Sequence, residues 1–285
     1  MMPKKPRANR PSGTMPVAPL LPKRIGAGDV VTDLTRTMRA QAPEEQAQAL
    51  IDQAWEARTQ RQAAALARRA LEIFPDCADA YNVLAGAEAR SAEDALVLYE
   101  HGVDAGRRSL GNAFFDEHRG HFWGMIETRP YLRARRGLAD CLWALGRKRE
   151  SITHCEALLE LNPDDNQGIR HGLLSRYLAL GNDMGAARLF RDYPHDASAA
   201  FLWSRVLLDL RRGDQVAATE HLVLAMHGNP HVAGFFAGKR KPPARLPAHY
   251  SPGDRNEAAL YIANFAEAWL ASADAMDWLT GQLAN

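Results

Sequence analysis

Two short stretches and a scattered set of arginines and tryptophans hold the residues best suited to chemistry. Residues 112–130, NAFFDEHRGHFWGMIETRP, bring Asp116, Glu117, His118, His121 and Glu127 close in sequence. Carboxylates and imidazoles of this kind ligate divalent metals or exchange protons with a substrate. A metal-dependent or small-molecule enzyme centred on residues 107–130, using Glu117, His118, His121 and Glu127, is therefore one reading open to the sequence. His227 and His231 form a second pair, but a Gly-Asn-Pro turn separates them. A helical zinc site wants its two histidines one turn apart on a single helix, with a third ligand nearby.

The other chemical groups point away from catalysis. Cys77, Cys141 and Cys155 are odd in number and show no CxxC spacing, which suits a reducing compartment better than a disulfide framework. Cytoplasm is the expected location. GxSxG, Walker, Rossmann and HExxH patterns are absent from the sequence. The leading expectation is accordingly a chain with no catalytic residue, no cofactor and no metal.

The elements that must position these residues repeat. In GLADCLWALGRKRESITHCEALLELNP (137–163), Leu138, Ala139 and Leu142 share one helix face, and Gly146 ends that helix. Ser151 and Cys155 follow on a second helix, which Pro163 closes. These spacings fit the tetratricopeptide pattern of two helices in about 34 residues. Cys155 fills that pattern's aromatic slot, which reads as burial in place of reactivity. Leu173, Tyr177, Gly181, Ala186, Phe190 and Pro194 repeat the grammar, as do Gly213, Ala218, Leu222, Ala225 and Pro230. Upstream, Ala63, Ala70 and Pro75 mark a closing helix, and Tyr81, Leu84, Ala95 and Tyr99 a further unit ending near Gly106. Each unit buries its stripe only against its neighbours. The expected fold is an all-α, tetratricopeptide-like right-handed helical solenoid with one continuous core and a C-terminal helical cap.

Three segments fall outside the repeat, and they set the expected organisation. Residues 1–30 carry prolines at 3, 6, 11, 16, 19 and 22 and no acid before Asp29, so a disordered basic tail is expected there. Residues 31–230 hold the repeats, interrupted at about 107–130 by an insertion whose Phe114, Phe115, Phe122 and Trp123 predict that it folds back onto the solenoid. Thr128 and Pro130 read as the cap and first-turn proline of the next helix. Residues 231–285 form a proline-rich linker and capping helices, with Asp254 and Glu257 at capping-box spacing.

Several segments taken in order, DCADAYNVLAGAEARSAEDALVLYEHGVDAG, RARRGLADCLWALGRKRES, and NPHV followed by SPGDRNEAALYIANFAEAWL, resemble the suppression of tumorigenicity protein family across roughly residues 70–280. That family joins tetratricopeptide-like helices to a helical C-terminal part, and the resemblance implies the same for this chain. It brings no catalytic residue set.

Function then falls to the face lined by the first helix of each unit. Its slots hold Asn82, Arg133, Arg136, Asp140, Trp143, His171, Ser175, Trp203 and Arg211. Arginine grips carboxylates through a two-pronged fork, and tryptophan offers a broad apolar anchor. Together they suit an acidic or C-terminal peptide segment of another protein, held in a concave groove by a non-catalytic scaffold. Alternatively, Arg133, Arg135 and Arg136 are the solvated side of a helix, held by Glu127 or Asp140. With 35 basic against 34 acidic residues, the balanced charge gives no general attraction for nucleic acid, and no apolar run reaches membrane-spanning length.

Overall fold

Apolar residues recurring every three to four positions build helical hairpins along the chain. The computed structural model describes residues 42–284; the predicted tail lies outside the described residues. Residues from Pro43 onward form one compact unit. Its hairpins are α1 (Pro43–Trp55) with α2 (Gln60–Ile73), α3 (Ala78–Glu88) with α4 (Ala92–Leu110), α6 (Arg129–Ala144) with α7 (Lys148–Leu161), α8 (Ile169–Ala179) with α9 (Asp183–Asp192), and α10 (Ala199–Arg211) with α11 (Gln215–Gly228). Every regular element among the described residues is helical, and the architecture is a tetratricopeptide-like solenoid with a helical C-terminal cap.

Local chemistry sets the hairpin ends. Thr59, Ser91, Asn182, Ser198 and Asp214 each accept a backbone N–H from the first turn of the helix that follows, worth about 1 kcal/mol per cap. Gly146 and Gly213 leave the first helices of hairpins three and five at φ of +78° and +77°, a backbone state cheap only for glycine. Across hairpin three, the Ser151 hydroxyl donates to the Ala139 carbonyl at 2.7 Å, so the two helices lie in close contact at their small residues.

The core divides where one continuous interior was expected. One buried cluster joins α1 to α3 through Ala47, Ile51, Ala67 and Leu84; a larger one runs from Phe122 to Leu279. The physical reason lies between α4 and α6, where small residues meet. A Cβ on Gly102 would approach Ala134 and Tyr81 to 3.1 and 3.2 Å, and one on Gly106 would stand 2.9 Å from Tyr131. Gly106 is thus a point of close approach inside α4, not the end of the unit.

The insertion packs as a lid of rings. α5 (Asn112–Glu117) and two 3-10 turns, Phe122–Gly124 and Ile126–Thr128, lead into α6. Phe122 is fully buried, with Phe114, Phe115 and Tyr131 at ring distances of 5.8, 5.1 and 6.4 Å. Thr128 precedes α6 without capping it, because its hydroxyl donates to the carbonyls of Phe122 and Met125.

After α12 (His231–Phe236), the linker leads to α13 (Arg255–Leu270) and α14 (Ala273–Ala284). Asp254 caps α13 by accepting from Glu257 N–H at 2.7 Å. Glu257 does not complete the box. Its carboxylate accepts from Gly253 N–H, Ala199 N–H and the Asn229 amide at 2.7, 2.9 and 2.9 Å, which ties α13 to the start of α10. The cap was expected to seal the end of the solenoid. Instead, α13 lies over the first helices of hairpins four and five, α8 and α10, while Val216 and Val223 on α11 remain 74% and 65% exposed.

Candidate functional site

The first-helix face begins on α3 with a pairing the sequence did not reveal. Asp79, 1% exposed, accepts from Arg133 Nε and Asn82 Nδ2 at 2.9 and 2.8 Å, and Asn82 also donates to the Pro130 carbonyl at 3.0 Å. Arg133 and Asn82 therefore fasten α6 to α3. Neither of the acids expected to hold the arginines does so here. Arg135 donates to the Tyr131 hydroxyl at 2.7 Å and Arg129 lies over the Trp123 ring, 4.8 Å from its centre.

On α6 and α8 the face opens. Arg136 is exposed, donates to the Gln167 carbonyl at 3.0 Å, and has no carboxylate partner among the described residues. Arg176, 8% exposed, donates to Asp140 and to Cys155 Sγ, and its guanidinium lies 5.5 Å from the Trp143 ring centre. Lys148 Nζ sits 3.8 Å from the same ring centre, so Trp143 faces two cations. His171 Nε2 and Arg170 Nε meet Asp196 at 2.9 and 2.6 Å. Burial alone would raise the Asp196 carboxyl, but the bonds from His171, Ser198 and Arg170 outweigh it and hold the group below the usual carboxylate range. Arg136, Asp140, His171 and Arg176 line a cavity of about 510 Å³, whose far wall is α13.

On α10 the same face is closed. Trp203 is fully buried; its indole N–H donates to the Asn229 carbonyl at 3.2 Å and its ring centre lies 6.1 Å from that of Phe236. Arg211 donates to the Ala268 carbonyl and the Ser272 hydroxyl at 2.9 Å each, satisfying the C-terminal end of α13. Ser175 donates to the Asn264 carbonyl at 2.6 Å. Arg211 and Ser175 hold the chain's own α13, and Trp203 is enclosed against Asn229 and Phe236. They form no wall for a partner.

Arg136, Asp140, Trp143 and His171 are therefore the candidate residues on the open part of the face. The sequence reading missed Asp79 and Arg176, and it saw in Glu257 a helix cap but not the link to Ala199 and Asn229. A buried arginine in the apolar run LLSRYLAL was a signal for Arg176; Asp79 and Glu257 gave none, since each acts on a residue 50 or more positions away.

The groups around the insertion do not converge. No set of three or more His, Cys, Asp or Glu among the described residues could hold a metal ion. The His118 ring packs edge-on against Phe114 at 4.3 Å. Burial pushes the Cys155 thiol up to about 11 and also raises Cys141, opposite to the shift that activates a nucleophile. No helix among the described residues is long and apolar enough to cross a membrane.

No family model matches the chain. It is 26% identical over 243 residues to the suppressor of tumorigenicity 7 protein-like of Gallus gallus, and equally to that of Bos taurus. Each alignment covers 77% of this chain and 44% of the relative, so the chain spans less than half the length of the curated relatives it matches. Among solved structures, YrrB, a TPR protein with an unusual peptide-binding site, superposes with a TM-score of 0.47 at 19% identity, covering 70% of this chain and 93% of YrrB.

Proposed function

We propose that the chain is a non-catalytic scaffold that binds an acidic or C-terminal peptide segment of another protein on the first-helix face of its third and fourth hairpins. The observation that carries the reading is Arg136, an exposed guanidinium about two helical turns before the half-buried Trp143 on α6, on a stretch of that face left uncovered by α13. A guanidinium without a counter-charge attracts carboxylates, and a nearby indole supplies apolar area that costs little conformational entropy to order. Asn82 and Arg133 contribute by fixing α3 against α6, and thus the angle at which Arg136 is presented.

The test is partner capture on the immobilised full chain, with Arg136→Glu as the comparison. The substitution should reduce recovery of the captured partner by about tenfold or more, the effect of turning one favourable charge contact into a repulsive one. Its thermal midpoint should stay within about 2 °C of the parent, because Arg136 gives up only one bond to an exposed carbonyl. Equal recovery with Arg136→Glu would remove the basis for the reading.

A further inference from the structure

We infer that the open stretch of the first-helix face is a blind groove, closed by α13, and that the cavity at its end takes the last residue of the bound segment: an apolar side chain followed by a free terminal carboxylate. This rests on the binding reading above and adds where the segment must stop and what its end must be.

A through-running groove would need the first helices of all hairpins to be accessible. Here α13 crosses α8 and α10, held by Ser175 to the Asn264 carbonyl, by Glu257 to Ala199 N–H, and by Arg211 to the Ala268 carbonyl. It also sinks Tyr261, Phe265 and Trp269 to 2%, 3% and 0% exposure. A helix anchored by three buried aromatic rings is part of the fold, not an occupant that a peptide displaces. A segment lying along α6 toward α8 therefore meets the side of α13.

The composition of the cavity specifies the end. Leu260 and Phe265 of α13 and Tyr250 of the linker supply apolar wall. The charged groups there are nearly all satisfied within the protein. Asp140 is paired with Arg176, His171 with Asp196, and both Glu257 oxygens accept bonds from backbone N–H groups or the Asn229 amide. Of the arginines there, Arg136 is the one with no carboxylate partner among the described residues, while Glu257 is held by neutral donors only. An apolar wall beside one uncompensated cation fits an apolar side chain next to a carboxylate. An acidic side chain within a longer segment could also reach Arg136, but its chain would then have to continue through α13.

Two random dodecapeptide display libraries separate these cases, one with free C-termini and one with each peptide fused at its C-terminus to a carrier domain. Both are selected on the full chain. Peptides from the free-ended library should be enriched about tenfold over the fused one, with Leu, Ile, Met or Phe prevailing at the last position. Leu260→Arg, filling the cavity, should abolish that last-position preference. Arg136→Ala, on an exposed site that leaves folding intact, should abolish discrimination between a selected peptide and its C-terminal amide. Equal enrichment from both libraries, or an unchanged amide discrimination in Arg136→Ala, overturns the blind end while the binding reading stands. Enrichment from neither library overturns both.

Discussion

Hairpins three and five carry the same kinds of side chain on their first helices and put them to opposite use. On α6, Trp143 is half-buried between Arg176 and Lys148, and Arg136 points at no acid. On α10, Trp203 is fully buried and Arg211 caps α13. Repeat spacing tells which side chains project from the first-helix face. Whether that face meets solvent depends on a helix some 50 residues further along. An exposed-looking slot in a repeat is thus a statement about direction, and availability has to come from what covers it.

The largest expected effect breaks this contrast at α10. Trp203→Ala should cost about 3–5 kcal/mol in urea unfolding, the range for removing a fully enclosed ring. Trp143→Ala should cost about 1 kcal/mol, since its ring is already partly in water. Similar losses at the two positions would mean that Trp203 is not enclosed against Asn229 and Phe236, and that the face of hairpin five is as open as that of hairpin three.

Next in size is the difference between two arginines one helical turn apart on α6. Arg133→Ala leaves the Asp79 carboxylate buried with only Asn82 to hold it. Removing one partner of a fully buried pair costs about 3–5 kcal/mol, and with Arg133 itself 43% exposed the expected loss is about 2 kcal/mol. Asp79→Asn in that background should recover part of it, because the unpaired charge disappears. Arg136→Ala should stay within about 0.5 kcal/mol. If Arg133→Ala is also silent, the α3–α6 link is no more than a surface contact.

A third measurement addresses the cover itself. Glu257→Gln keeps the shape of the side chain but cannot serve the donors of Gly253, Ala199 and Asn229 equally well. A loss of about 1–2 kcal/mol is expected, as for a charged acceptor weakened in a buried network. Amide hydrogen exchange should rise in α13 before it rises in α6. Uniform acceleration across the chain would show that α13 has no local opening of its own.

How much of this was legible follows from the range of the interactions. Gly146, Gly213, Pro163 and the Ser and Asp caps act within a few residues, so hairpin order and turn positions could be read from spacing. The aromatic run of the insertion foretold that it folds back onto the solenoid, because four large rings so close together cannot all remain in water; that it meets Tyr131 of α6 was not legible. Gly106 was misread. Glycine's lack of a side chain serves both helix ends and close helix contacts, and only the Tyr131 ring standing above it decides between them. Asp79 with Arg133, and Glu257 with Ala199, join positions 54 and 58 residues apart, and nothing in the local pattern marks either acid as buried.

The smallest effect separates two histidines in equivalent places on the second helices of the same two hairpins. His221 on α11 has the Asp209 carboxylate as partner at 2.5 Å. His154 on α7 has no partner for its buried Nδ1 among the described residues. Burial, then the charge of Arg135 on α6, pushes the His154 imidazole down to about 4, against the opposing pull of Glu150. The unfolded chain, with an ordinary value of about 6.5, takes up a proton before the folded chain does. Stability therefore rises with pH across that interval and is lost on acidification from about 6.5 toward 4. Between pH 7 and 5 the loss assigned to this half-exposed group is about 1 kcal/mol, or roughly 2–4 °C in the thermal midpoint of a chain this size. His154→Gln should remove that part of the slope, and thermal melts at the two pH values measure it. An identical slope in His154→Gln and the parent would place the pH sensitivity elsewhere and leave the two hairpins alike in this respect.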